Sequence, residues 1–195
     1  MHQKLITYIN EHTSSPLTNE EMQLIETSFQ VKKLRKRQYL LQEGEICKYL
    51  AFIVKGAMRQ YNIDGNGSEH IVNFGIENWW IGDRESYTML TPSAYNIDAL
   101  EETELLTITR TEILKLQNKS PALIEMLRLL DEKNAIATQR RLSSNISYTA
   151  EKRYAEFERC YPQFIQRFPQ HLIASYLGIT KSSLSRIRAN AFKGK

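Results

Sequence analysis

Apolar and polar positions switch from a helical period to a strand period near residue 39, and back again near residue 120. Residues 1–30 read as helical. Leu17-Thr18-Asn19-Glu20-Glu21 has the form of a capped start, and Met22, Ile25 and Phe29 are spaced for one face. From Tyr39 to Thr109 the chain is rich in β-branched and aromatic residues, interrupted by glycine and Asn/Asp turns. Tyr49–Val54 reads as a buried strand, Lys55-Gly56 as a turn and Ala57–Ile63 as a second strand. Asp64-Gly65-Asn66-Gly67 is a hairpin connector leading to Glu69–Phe74. Short strands at this spacing predict a β-sandwich or small barrel.

Ser120-Pro121 opens a helix, with serine as the cap and proline at the first helical position. From there to about Leu142 there is no Gly or Pro. Leu123, Leu127, Leu130, Asn134 and Ala137 alternate spacings of four and three, the pattern of a coiled-coil seam with one polar break. This stripe either pairs with a second copy or packs on the β-rich region. Thr149 starts a further helix that runs through Cys160, and Tyr161-Pro162 ends it.

The most constrained pattern is Gln170–Asn190. Ile173, Leu177, Ile179, Leu184 and Ile187 take the spacings that two short crossed helices need to share a core. Ala174 is small where the helices must approach. Gly178 sits where the turn needs a positive φ. Thr180 can cap the second helix by accepting a backbone N–H. The pattern predicts a helix-turn-helix; an ordinary helical hairpin in a core is the other reading. With Leu184 and Ile187 turned inward, steps of about 100° place Ser182, Ser185, Arg186, Ala189 and Asn190 outward. Arg186 is the candidate for base readout, because a guanidinium can bond guanine O6 and N7 together. Lys181 and Arg188 lie on the flanks, and with Thr180, Ser183 and the first backbone donors they suit phosphates.

Charge sharpens this reading. Residues 140–195 hold 11 Lys/Arg and 3 Asp/Glu, whereas residues 1–139 hold 15 and 19. A basic module joined to an acidic one suits double-stranded DNA as a partner. The longest wholly apolar run is Leu50–Val54, too short to span a membrane, and the first residues lack signal-peptide architecture. Cys47 and Cys160 form neither a disulfide framework nor a metal cluster, which fits a cytoplasmic protein.

In these residues the chain resembles the cyclic-AMP receptor protein/FNR superfamily of bacterial transcription regulators, over nearly its whole length. Gly44-Glu45, Leu50–Gly56 and Arg59 resemble the family's early barrel strands. IASYLGIT and SLSRIR resemble the helix-turn-helix of members from Bacteroidetes-type bacteria. The resemblance implies an α+β fold of three parts. A double-stranded β-helix (a cyclic-nucleotide-binding-like β-roll, with its N-terminal helix) would occupy residues 1–119. A long dimerisation helix would occupy residues 120–143, and a helix-turn-helix domain residues 144–195. It further implies a homodimer, RNA polymerase as a partner, and no enzymatic activity. The chain ends at Lys195, so the terminal β-wing of longer relatives is expected to be missing or reduced.

Members that bind a cyclic nucleotide carry a Gly-Glu pair, then an arginine followed by two small residues. The arginine neutralises the phosphate, backbone N–H groups bond its oxygens, and the glutamate holds the ribose. The matching pieces here are Gly82-Asp83 and Pro92-Ser93-Ala94, with Arg84 the nearby cation. Thr138 and Gln139 match the polar pair that meets the base. Proline at position 92 supplies neither charge nor N–H. The resemblance therefore implies an unidentified small-molecule effector, or a cavity filled by Trp79, Trp80 or Tyr95 and no effector. A cyclic-nucleotide response is the alternative. Two cysteines fall short of an iron–sulfur cluster. His70 is the one histidine of the barrel region, short of a metal-dependent cupin site, so no metal or cofactor is expected. A protein that uses its helix-turn-helix for protein contacts is the remaining competitor.

Overall fold

The computed structural model of the chain describes residues 1–193, which separate into two compact units. Gly194 and Lys195, on which the expectation about a terminal wing bears, lie outside the described residues.

The first unit comprises Met1–Ile63 and Val72–Asp131. Its chain opens with α1 (His2–His12) and α2 (Asn19–Ser28). Thr18 and Glu21 form a reciprocal capping box at the start of α2, as the sequence suggests. The strands are β1 (Gln30–Leu34), β2 (Tyr39–Leu41), β3 (Tyr49–Lys55), β4 (Met58–Ile63), β5 (Glu69–Gly75) and β6 (Trp80–Ile81). A short helix α3 (Arg84–Met89) precedes β7 (Asn96–Ala99) and β8 (Thr103–Thr109), and α4 (Arg110–Leu116) follows. The strands form two four-stranded sheets, in the orders β1-β8-β3-β6 and β2-β7-β4-β5. This is an eight-stranded antiparallel β-roll.

Strand β3 is apolar and buried from Leu50 to Val54, because both of its faces are covered there. Phe52 meets Tyr8 of α1 and Trp80 of β6 at ring separations of 5.2 and 5.3 Å. Ile53, Met58, Ile97, Leu105 and Leu106 belong to the same fully buried core. Trp80 thus packs in the core beside Phe52 and Phe29. One buried ion pair is built across β4 and β7: Arg59 Nε and Nη2 reach the two Asp98 oxygens at 2.8 and 3.1 Å, with the guanidinium 4.1 Å from the Tyr61 ring centre.

Helix α5 spans Pro121–Ser147, with Ser120 accepting the Leu123 N–H at its start. The first half of the expected seam is spent inside the first unit. Leu123 and Leu127 are buried in the roll's core and Leu130 packs against it, so these leucines do not form a free pairing face. Periodicity alone could not say which apolar surface the stripe would meet. The exposed large apolar residues of α5 are instead Ile136, Leu142 and Ile146. At 100° per residue they fall within an arc of about 120°.

The second unit comprises Asp64–Ile71 and residues 132–195. It contains the rest of α5, then α6 (Ala150–Cys160, capped by Thr149), α7 (Pro162–Arg167), α8 (Gln170–Tyr176) and α9 (Lys181–Lys193). Its small core is aromatic: Phe157 lies 5.4 Å from Tyr176, and Phe164 lies 4.9 Å from Phe168. Leu172, Ile173, Ala174, Leu177, Leu184 and Ile187 complete it.

Candidate functional site

Helices α8 and α9 are joined by a four-residue turn in which Gly178 has φ 64°. A side chain there would be strained, which accounts for the glycine. Thr180 caps α9: its Oγ accepts the Ser183 N–H at 3.1 Å and lies 2.9 Å from both the Ser182 and Ser183 hydroxyls. Leu184 and Ile187 anchor the buried side of α9. Lys181, Ser182, Ser185, Arg186, Ala189 and Asn190 are exposed, while Ser183 and Arg188 are half-buried. The outward ridge matches the phase deduced from the apolar spacing. One acid stands near it. Backbone and Thr149 hydrogen bonds at the start of α6, aided by the charge of Arg186, hold the Glu151 carboxyl below its ordinary range.

Sequence reasoning missed how α8 is held. Ser175 Oγ accepts the Ile71 N–H at 2.9 Å and donates to the Glu69 carbonyl at 3.0 Å. Arg141 donates to the carbonyls of Ile71 and Tyr176 at 3.1 and 3.0 Å and stacks 4.0 Å from the Tyr176 ring centre. A lone serine and a lone arginine give no periodic signal, so only tertiary structure could have found them.

The residues matched to the nucleotide cassette are organised differently from the expectation. Asp83 is buried and caps α3, accepting the Glu85 and Ser86 N–H groups at 3.1 and 3.3 Å through Oδ1. Its Oδ2 accepts the Ser93 hydroxyl at 2.6 Å. Ser86 Oγ accepts the Cys47 N–H and donates to the Thr91 carbonyl, at 2.8 and 2.6 Å. Ser93 is tied by its backbone to Gly44 and Glu45, at 2.8 Å each. Gly82, Asp83 and Ser93 are therefore gathered, but the acid is engaged by its own loop. Arg84 is exposed and pairs with Asp131 of α5. Pro92 and Ala94 are exposed, and Thr138 is exposed on the second unit's part of α5. Burial, with the Asp83 charge as a lesser contributor, pushes the Cys47 thiol up. The Asp83-Arg84-Glu85-Ser86 run is a helix start that the cassette comparison concealed.

These features define a class: a cyclic-nucleotide-binding-type β-roll followed by a long helix and a group of C-terminal helices. The cyclic nucleotide-binding domain family matches residues 31–120. The fumarate nitrate reduction regulatory protein of Klebsiella oxytoca is 28% identical over 194 residues, covering 92% of this chain and 72% of that protein. The structure of FixK2 from Bradyrhizobium japonicum covers 85% of each chain with a TM-score of 0.71 at 18% identity. The c-di-GMP-responsive global regulator CLP of Xanthomonas campestris covers 89% of this chain and 91% of its own, with a TM-score of 0.69 at 11% identity. Over most of its length the chain is thus similar to regulators of the CRP/FNR type, and residues 31–120 carry the cyclic nucleotide-binding domain match. Among the described residues, no helix is long and apolar enough to cross a membrane.

Proposed function

We propose that the protein is a homodimeric, DNA-binding transcription regulator in which α8 and α9 act as the helix-turn-helix. The observation that carries this reading is the exposed ridge Ser182, Ser185, Arg186 and Asn190, on a helix whose other face is locked by Leu184 and Ile187. Such a ridge offers donors and acceptors to a major groove, while Lys181, Arg188 and the Thr180–Ser183 cap offer phosphate contacts. Serine at position 182 reads either base loosely, so the ridge leaves Arg186 as the principal discriminating contact. RNA polymerase is the partner that a regulator bound to its operator would meet. Anisotropy titration with random duplex at two salt concentrations is the first test: phosphate contacts impose a steep salt slope, and a flat response would remove DNA as the ligand.

Pairing through Ile136, Leu142 and Ile146 of α5 gives the dimer. Replacing Ile136 and Leu142 with glutamate should yield monomers by sedimentation and weaken specific duplex binding by a factor of at least about 100, since each half-site would bind alone. An unchanged dimer would overturn this interface.

The roll responds to an unidentified small molecule or to none. The match of residues 31–120 to the cyclic nucleotide-binding domain favours a second reading, a cyclic-nucleotide response. Against it stand Pro92 at the arginine position and the engagement of Asp83 by Ser93 and α3. Calorimetry with cyclic AMP at micromolar concentrations should show no saturable heat; clear saturation would restore the second reading.

A further inference from the structure

The first unit carries a second concentration of charge that the regulator reading does not use. Lys32, Lys33, Arg35, Lys36 and Arg37 place five cations in six consecutive residues at the end of β1 and in the turn to β2. Lys55, at the end of β3, joins Lys33, Arg35, Lys36 and Arg37 around an open groove of about 790 Å³ that Glu102 and Glu104 also line, with Glu104 set between Lys33 and Lys55 in the strand register. Lys33 pairs with Glu104 at 3.0 Å, whereas Arg35, Lys36, Arg37 and Lys55 make no ion pair among the described residues.

The turn is held rigidly. The Arg37 N–H donates to the Ala99 carbonyl at 2.7 Å, and the Ala99 N–H returns a bond to the Gln38 carbonyl at 3.0 Å. The Gln38 side chain accepts the Arg35 N–H at 2.9 Å. Arg37 has φ 66°, a left-handed conformation that glycine or asparagine takes more easily. Next to Lys55, Gly56 has no room for a side chain: a Cβ would come within 2.7 Å of the Glu102 carbonyl, so the end of β3 lies close against that backbone. A solubilising surface mixes both signs. Here one sign is crowded onto an immobile turn, where like-charge repulsion and an unfavourable φ are both retained, the condition of a preorganised site.

We propose that this groove binds a compact polyphosphate, with Arg35, Lys36, Arg37 and Lys55 on the phosphates. Arginine forks match phosphate oxygens bidentately, and the groove volume lies in the range of small-ligand sites. Glu102 and Glu104, set among these cations, oppose an extended nucleic-acid backbone, but they can accept hydrogen bonds from the base of a nucleoside polyphosphate. The site is independent of the proposed DNA contacts on α9.

The test is calorimetry of the full chain at physiological salt with sodium tripolyphosphate, GTP and ATP. Saturable binding of one tripolyphosphate per chain is expected. It should weaken at least tenfold in Arg35→Ala/Arg37→Ala and stay unchanged in Arg186→Ala. If GTP or ATP binds more tightly than tripolyphosphate and Glu102→Gln removes the difference, the ligand is the nucleotide. Equal binding identifies the inorganic chain. Duplex titration of Arg35→Ala/Arg37→Ala runs alongside as a readout of folding and DNA binding. Absence of saturable heat with all three probes, or binding indifferent to Arg35→Ala/Arg37→Ala, overturns the proposal. So does a variant whose only defect is in DNA affinity, which would give the turn to DNA.

Discussion

The Asp83 loop and helix α9 both concentrate polar side chains, and they use them in opposite ways. Asp83 accepts two backbone donors and one hydroxyl, Ser86 and Ser93 are similarly engaged, and the whole cluster is buried. On α9, Ser182, Ser185, Arg186 and Asn190 face water. A polar group bonded within its own fold has little left to offer a ligand, because taking it up means breaking what it already has. An exposed ridge on a locked backbone pays no such cost. In the β-roll the loop's polar groups are used within the fold, while α9 leaves its polar ridge exposed.

If that contrast holds, substitutions in the roll should cost stability and those on α9 should cost binding. The largest effect is expected at Arg59→Ala, which leaves Asp98 buried without its counter-ion; about 3–5 kcal/mol should be lost in urea denaturation. Asp83→Ala removes the acceptor for three donors and should cost about 2–3 kcal/mol, with duplex affinity of the folded fraction unchanged. A loss of duplex affinity there at full stability would break the comparison. On α9, Arg186→Ala should cost about 1–3 kcal/mol in binding and relax preference at one base pair per half-site of a near-palindromic operator. Lys181→Ala should weaken all sequences alike and lower the salt slope by about one unit. Selection from random DNA distinguishes the two, and exchanged outcomes would mean that the helical phase is wrong.

The smallest effect concerns pH. Burial opposes charge on Glu21, but hydrogen bonds from the Thr18 backbone, the Ser120 hydroxyl and the Thr18 hydroxyl prevail and hold its carboxyl below the usual range. A lowered folded pKa stabilises above the unfolded value, near 4.3, and that contribution fades as acid protonates the folded group. Glu21→Gln should therefore cost about 1 kcal/mol at neutral pH, and the gap should narrow as the pH falls through and below the unfolded value.

Local chemistry was legible in the sequence and long-range engagement was not. Thr18, Ser120, Thr149 and Thr180 announce helix starts because a cap is settled within three or four residues. Gly178 announces its turn, and the inward placement of Leu184 and Ile187 fixes which side of α9 is exposed. The two-residue β6 is too short for a period, and α7 lies hidden behind Pro162, read as a stop when it is the first residue of a new helix. Leu123 and Leu127 carry a true apolar period, but a period does not name its partner; the roll claims them. The engagement of Asp83 was not legible because resemblance identifies a residue type at a position, whereas its hydrogen bonds depend on Ser93, ten residues away.

Ser175 has a consequence for solubility. Strand β5 lies at the end of its sheet order, so its outer backbone groups are available to template a foreign strand. By accepting from the Ile71 N–H and donating to the Glu69 carbonyl, the Ser175 hydroxyl supplies one rung of a ladder without a strand behind it. A single helix-borne hydroxyl thus blunts residues 69–71 as an aggregation edge, and that protection lasts only while the end of α8 stays beside the hairpin.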